Sequence, residues 1–328
     1  MPMDINSSFQ IGALTFAHRL IQGPLAGYTC APYRATFAAF QQPAYCVSEM
    51  ISAHDLLHRQ PARFVSRDPK EKYLAYQLSG YDPDVMAKAA EILQGLGADM
   101  IDINCGCPKT KIRKKGAGSA LLASPERIAQ IIAAIKARIS IPLTVKIRVQ
   151  SVEQDLILAK VIEQAGADGL VVHGRRWHDN YERPCDRQQI ALIKQAVSIP
   201  VIANGDIADH ASLQAMLEET ACDAYMIARA GTGRPWLYQA LLHPDAAASL
   251  SWSFSQAVAV FMTHLQGLSL LQNEYRAILQ SKTLVRYYFR PWVTREQLLG
   301  YYDLDSFSKI EEYLCNFTGL EPHESRAT

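Results

Sequence analysis

Net charge is almost absent from this sequence. Its 33 lysines and arginines nearly cancel 32 acids, leaving +1 over 328 residues. No global field therefore draws the chain to polyanions, and any nucleic-acid contact has to be a local patch. Long hydrophobic runs are also missing, which predicts no bilayer-spanning segment. The amino terminus, MPMDINSSFQIG, lacks the charged-then-apolar order of a secretory signal. Cysteines are few and scattered, at positions 30, 46, 105, 107, 185, 222 and 315. An odd set without a secretion signal reads as reduced thiols of a cytoplasmic protein, not a disulfide framework. No GxGxxG turn follows the first apolar run, which counts against a doubly wound dinucleotide-binding sheet. With 49% hydrophobic and 20% charged residues, the chain suits one large α/β domain and a smaller one.

Eight short β-rich runs stand out, at 19–22, 45–48, 74–78, 100–104, 143–147, 170–172, 201–203 and 224–227. Most are continuously apolar, as parallel strands covered on both faces should be. Helical patterns lie between them. Asp82-Pro83-Asp84 and Ser124-Pro125-Glu126 each supply a cap, a first-turn proline and an acid at the positive helix end. Half-units repeat along the chain. Ser140-Ile141-Pro142 returns as Ser198-Ile199-Pro200, and Gly97-Ala98-Asp99 returns as Gly166-Ala167-Asp168 and, more loosely, as Ala221-Cys222-Asp223. Each of the latter ends a helix and precedes a strand. Eight strands alternating with helices predict a (β/α)8 TIM barrel over residues 1–242. After a linker near 243–252, helical spacing alone predicts a small all-helical domain over 253–328.

In such a barrel the chemistry sits at the carboxyl ends of the strands. The strand endings here form a polar ring: Gly23-Pro24-Leu25-Ala26, Ser48-Glu49, Gln77, Asn104-Cys105-Gly106-Cys107, Lys146-Ile147-Arg148, His173-Gly174-Arg175, Asn204-Gly205-Asp206 and Ala228-Arg229. The last two endings suit a phosphate, through backbone N–H groups freed by glycine and a fork-shaped cation at Arg229. Lys146 interrupts an apolar strand, so it either snorkels at the rim or faces an anionic ligand. His173 shares that mouth, as a structural or a catalytic group.

Cys105 and Cys107 lack the partners of a zinc site and the spacing of a redox pair. Alternation in an extended run points both thiols the same way until Gly106 breaks the strand. One functional thiol, giving or taking a proton, stands against a buried inert cysteine. Five cations follow, Lys109, Lys111, Arg113, Lys114 and Lys115, without an acid among them. With Arg148, Arg175 and Arg176 they form a candidate polyanion-binding patch. Lys282, Arg286 and Arg290 repeat at four-residue spacing and add a second basic stripe.

Taken together, these segments resemble the tRNA-dihydrouridine synthases, with the bacterial B-type branch closest in character. The resemblance runs from about Leu20 to Leu237. It implies a flavoprotein that reduces the C5–C6 bond of uridines in tRNA. Pro24, Leu25 and Ala26 would lie against FMN, Gln77, Lys146 and His173 would contact its ring, and Asn204, Gly205, Asp206, Ala228 and Arg229 would hold its phosphate end. NADPH would reduce the flavin, Cys107 would protonate C5, and Asn104 would help hold the base. Departures from the family pattern are Leu25, Cys30, Val149-Gln150-Ser151, Arg176 and Ala228. Two rival readings remain, a small-molecule FMN barrel acting on a free pyrimidine and a catalytically impaired tRNA-binding homologue. A monomer without a metal or membrane partner is expected.

Overall fold

The computed structural model describes residues 4–247 and 252–320. Eight parallel strands close into a barrel: β1 (Leu20–Gln22), β2 (Cys46–Val47), β3 (Leu74–Ser79), β4 (Met100–Cys105), β5 (Leu143–Arg148), β6 (Gly169–His173), β7 (Val201–Asn204) and β8 (Ala224–Ile227). Each pairs with the next, and β8 returns to β1 through Met226 opposite Ile21, so no edge is left. A two-residue strand, Ile51–Ser52, pairs alongside β3 beyond the end of β2.

The repeated Gly-Ala-Asp units act in the fold three times in the same way. Gly97 and Gly166 take φ of +88° and +95°, the left-handed turn that ends a helix. Ala221 takes the same turn at φ +47° without being glycine. The acid that follows then ties two strands together. Asp99, Asp168 and Asp223 accept the N–H of Leu74, Leu143 and Val201 at 2.8, 2.8 and 2.7 Å. Arg67, Lys136 and Lys194 pair with those carboxylates at 2.8, 2.7 and 2.7 Å.

The inward positions change character along the barrel. Ile21, Val47, Ala75, Met100, Val171, Ile202, Ala224 and Met226 form an apolar floor. Two residues further along the same faces come Gln77, Asp102, His173 and Asn204, with Thr144 and Lys146 on β5. An antiparallel hairpin, Phe9–Ile11 with Leu14–Phe16, plugs the floor. Phe16 packs 5.1 Å from both Tyr45 and Tyr73. Sequence reading passed over this hairpin, although Phe-Gln-Ile and Leu-Thr-Phe alternate around a glycine at φ +54°. The hairpin thus covers one end of the barrel and leaves the polar strand endings at the other.

The regular elements among the described residues of the carboxyl-terminal region are all helices, chiefly Phe254–Leu271, Glu274–Phe289 and Phe307–Cys315. It is docked on the barrel rather than tethered to it. Trp236 stacks on Trp252 at 5.3 Å, and Trp292 lies 6.4 Å from Trp236. Residues 1–3, 248–251 and 321–328, which fall in the expected barrel, linker and helical segments, lie outside the described residues.

Three expectations need correction. Ser124 stands at a helix N-cap, yet its side chain makes no capping bond, whereas Asp82 caps Val85 N at 2.9 Å. The helix Phe254–Leu271 is long and apolar enough to cross a membrane, with a mean hydropathy of 1.2. Gln, Thr, His and Ser punctuate it without adding charge, so the run is easily overlooked. Its buried positions, Phe254, Ala257, Phe261, His264, Leu265 and Leu268, form a stripe facing the protein core. Finally, Cys105 and Cys107 do not point alike. β4 ends at Cys105, which is buried on the helix-facing side, and the chain then turns so that Cys107 is only half-buried at the mouth.

Candidate active site

The mouth is organised around a buried polar chain. Asp102, almost wholly enclosed, accepts the Thr144 hydroxyl at 2.7 Å and Gln77 Nε2 at 2.7 Å. Gln77 Oε1 accepts Asn104 Nδ2 at 2.8 Å. Asn104 Oδ1 accepts the N–H of Gly106 at 3.2 Å and of Cys107 at 2.9 Å. The Cys107 loop is held further by Ser119 N, which donates to Cys107 O at 3.0 Å. Arg148 Nε donates to Gly106 O at 3.0 Å. Burial raises the Asp102 carboxyl to about 6, opposed by its bonds from Gln77 and Thr144.

Across the mouth Lys146 Nζ donates to Asn204 Oδ1 at 2.9 Å, and Asn204 Nδ2 donates to Met226 O at 2.8 Å. Burial, reinforced by Arg148, lowers Lys146 to about 8. His173 lies well below its ordinary value, through burial and then the cations Lys146, Arg148, Arg175 and Arg229. It is therefore a neutral imidazole at pH 7. Lys146 thus faces the interior of the mouth, as its place in an apolar strand suggested.

The structure sorts the arginines. Arg175 is buried and clamps Asp206 through both carboxylate oxygens at 2.7 and 2.6 Å. Arg148 is buried too, donating to Gly106 O and to Arg176 O at 2.9 Å. Both act inside the site wall. Arg229 is exposed, reaches Asp206 Oδ1 at 3.3 Å and stacks on Tyr181 at 3.7 Å. Arg176 is exposed and bonds Gln150 O.

Lys109, Lys111, Lys114 and Lys115 are exposed beside Cys107. Arg113 leaves that set, because its guanidinium stacks 3.4 Å from the centre of Trp177. In the helical region Lys282 is tied to Tyr302 O at 2.6 Å, Arg286 is exposed beside Tyr287, and Arg290 follows the helix end. Only Arg286 and Arg290 of that stripe are exposed.

The first strand ending also has its supports. Pro24 and Leu25 are half-buried and Ala26 exposed, lining the mouth opposite Lys146. Glu49 Oε1 accepts Gly27 N at 2.5 Å and pairs with Arg63. Arg63 and Gly27 O both meet Gln280 at 2.9 Å, so a carboxyl-terminal helix braces this loop. At the seventh strand ending Gly205 takes φ +137° and Asp206 φ +51°. A Cβ on Gly205 or Gly174 would lie 2.5 or 2.6 Å from the Cys185 sulfur, so only glycine fits at either position.

Four cations crowd His173, and among the groups paired with them here only Asp206 is acidic. That surplus, with buried amides and a neutral imidazole above an apolar floor, fits a planar polar group carrying a phosphate.

The pattern of "Dihydrouridine synthase (Dus)" matches residues 21–296. The chain belongs to the dihydrouridine synthase family, which comprises flavin-dependent oxidoreductases. A relative in Pseudomonas aeruginosa named tRNA-dihydrouridine synthase B is 39% identical over 72% of this chain and 73% of its own length. A protein of the same name in Pasteurella multocida is 35% identical over 79% and 80%. Among solved structures, a 2-naphthoyl-CoA reductase complex superposes with a TM-score of 0.59 at 12% identity, over 74% of this chain and 53% of that one. A morphinone reductase variant with tetrahydroNAD gives 0.57 at 12% identity, over 73% and 90%. These likenesses carry the barrel fold.

Within this dihydrouridine synthase family member, sequence reasoning missed Asp102, Trp177, Tyr181 and Gln280. Asp102 precedes Asn104 by the two-residue period of a strand, a signal that it shares the inward face. Nothing local marks Trp177, Tyr181 or Gln280, which meet Arg113, Arg229, and Arg63 with Gly27 from distant parts of the chain.

Proposed function

We propose that this protein reduces the C5–C6 bond of specific uridines in tRNA, with FMN at the barrel mouth and NADPH as reductant. The observation that carries the reading is the half-buried Cys107, its backbone seated on Asn104, at the edge of a cation-rich mouth. When bound, the flavin supplies hydride chemistry.

The chain's own groups do the rest. Lys146, His173, Asn204 and Arg229 bind and orient the cofactor's polar edge and phosphate, with Gln77 beneath, Pro24, Leu25 and Ala26 beside it, and Gly205, Asp206 and Ala228 shaping the phosphate loop. Asn104 keeps one Nδ2 hydrogen for a base carbonyl, since the other serves Gln77. As two electrons and a proton reach C6 as hydride, negative charge builds on the uracil. The Cys107 thiol then transfers its proton to C5, which completes the saturated ring. The base must leave its stack to reach a site inside the barrel mouth.

Lys109, Lys111, Lys114 and Lys115, with Arg176, Arg286 and Arg290, offer phosphate contacts outside that mouth. Residues 1–242 form the catalytic domain and 253–328 the tRNA-binding domain of a cytoplasmic monomer. The test is Cys107→Ala. It keeps bound flavin and its bleaching by NADPH, while dihydrouridine formation falls by roughly a hundredfold or more. Wild-type turnover in the variant overturns the acid assignment.

A further inference from the structure

We propose that Asp102 is a positioning residue for Cys107, acting through the amide orientations of Gln77 and Asn104. The inference rests on the reading of Cys107 as the proton donor. An ionised carboxylate can only accept hydrogen bonds. Gln77 therefore turns Nε2 towards Asp102, at 2.7 Å. That leaves Gln77 Oε1 facing Asn104, which must offer Nδ2, at 2.8 Å. Asn104 Oδ1 is then the atom turned to the loop, where it accepts the N–H groups of Gly106 and Cys107 at 3.2 and 2.9 Å.

Reversing either amide would set acceptor against acceptor on one side of it and donor against donor on the other, with Asp102 and Gln77 each 1% exposed and Asn104 9%. Water is thus excluded as a substitute partner. The polarity of the whole chain is decided at its buried end, about three side chains from the thiol. Thr144, bonded to the other Asp102 oxygen at 2.7 Å, lies off this path.

The test is hydrogen–deuterium exchange of the peptide spanning Gly106 and Cys107 in the full-length protein, with turnover measured alongside. Asp102→Leu removes the acceptor while keeping the branching of the side chain. Gln77→Met cuts the path while leaving the Asp102–Thr144 bond. Each is expected to speed exchange about tenfold, the loss of one hydrogen bond of about 1.4 kcal/mol, and the double variant to be no faster than either single. Asp102→Asn should exchange like wild type, because its amide can donate to the Thr144 hydroxyl and keep its oxygen on Gln77. Thr144→Val should also leave exchange unchanged. Asp102→Leu is further expected to lower kcat for RNA reduction about tenfold, with KM for the RNA unchanged.

Wild-type exchange in Gln77→Met, or multiplied effects in the double variant, overturns the proposal. Should Asp102→Leu not fold, Gln77→Met against Thr144→Val decides the matter. Failure of the acid assignment shows separately, as normal turnover in Cys107→Ala with the exchange results intact.

Discussion

Asp206→Asn isolates the electrostatics of the mouth. Asp206 sits at φ +51°, a left-handed conformation that asparagine tolerates better than most residues, so the substitution adds little backbone strain. It does remove the charge that both Arg175 contacts and the Arg229 contact use. The Arg175 side chain is 2% exposed, and its remaining partners are the carbonyls of Arg183 and Tyr181 and the His173 ring. Removing one member of a buried pair costs about 3–5 kcal/mol. The Asp206 side chain is 33% exposed, which reduces this to about 2–3 kcal/mol. For 328 residues at about 2.1 cal/mol/K each, unfolding entropy is about 0.7 kcal/mol per degree, so Tm should fall by about 3–4 °C in calorimetry. Arg229→Leu, which breaks only the rim pair at 3.3 Å, should fall by about 1 °C. A melting point for Asp206→Asn within a degree of wild type refutes the buried-pair argument. An equal drop for Arg229→Leu does the same.

Reversing charge at Lys114 and Lys115 together, by Lys→Glu, should weaken tRNA binding and reduce its salt dependence while leaving flavin content unchanged; unaltered affinity in a filter-binding titration at several salt concentrations would show the loop to be merely solvated. His264 lies inside the helical region with Nδ1 2.9 Å from the Tyr288 hydroxyl, and burial lowers it to about 3. A histidine held neutral in the folded state stabilises fully above its unfolded value near 6.5 and loses that contribution as pH falls towards about 3. Because Asp102, raised to about 6, acts in the opposite direction, the readout is a difference. The stability gap between wild type and His264→Gln in urea titrations should shrink by about 1.4 kcal/mol between pH 7.5 and 5.5, and a pH-independent gap sinks the assignment.

Residue patterns alone determined the barrel. Five of the eight expected runs begin on an observed strand start and the other three begin one residue from it, because buried parallel strands must be apolar on both faces and that requirement is written locally. The ring of polar strand endings was legible for the same reason, since a strand's last inward residue is fixed by a two-residue period. Tertiary structure alone decided how those residues divide the work. Arg175 and Arg148 look like surface cations in the sequence but become buried wall components, while Arg113 is taken up by Trp177 from another loop. Asp102 gains its place from Gln77 and Thr144, 25 and 42 residues away. Charge, hydrogen bonding and burial act through space, and only closure of the barrel sets which distant side chains share it.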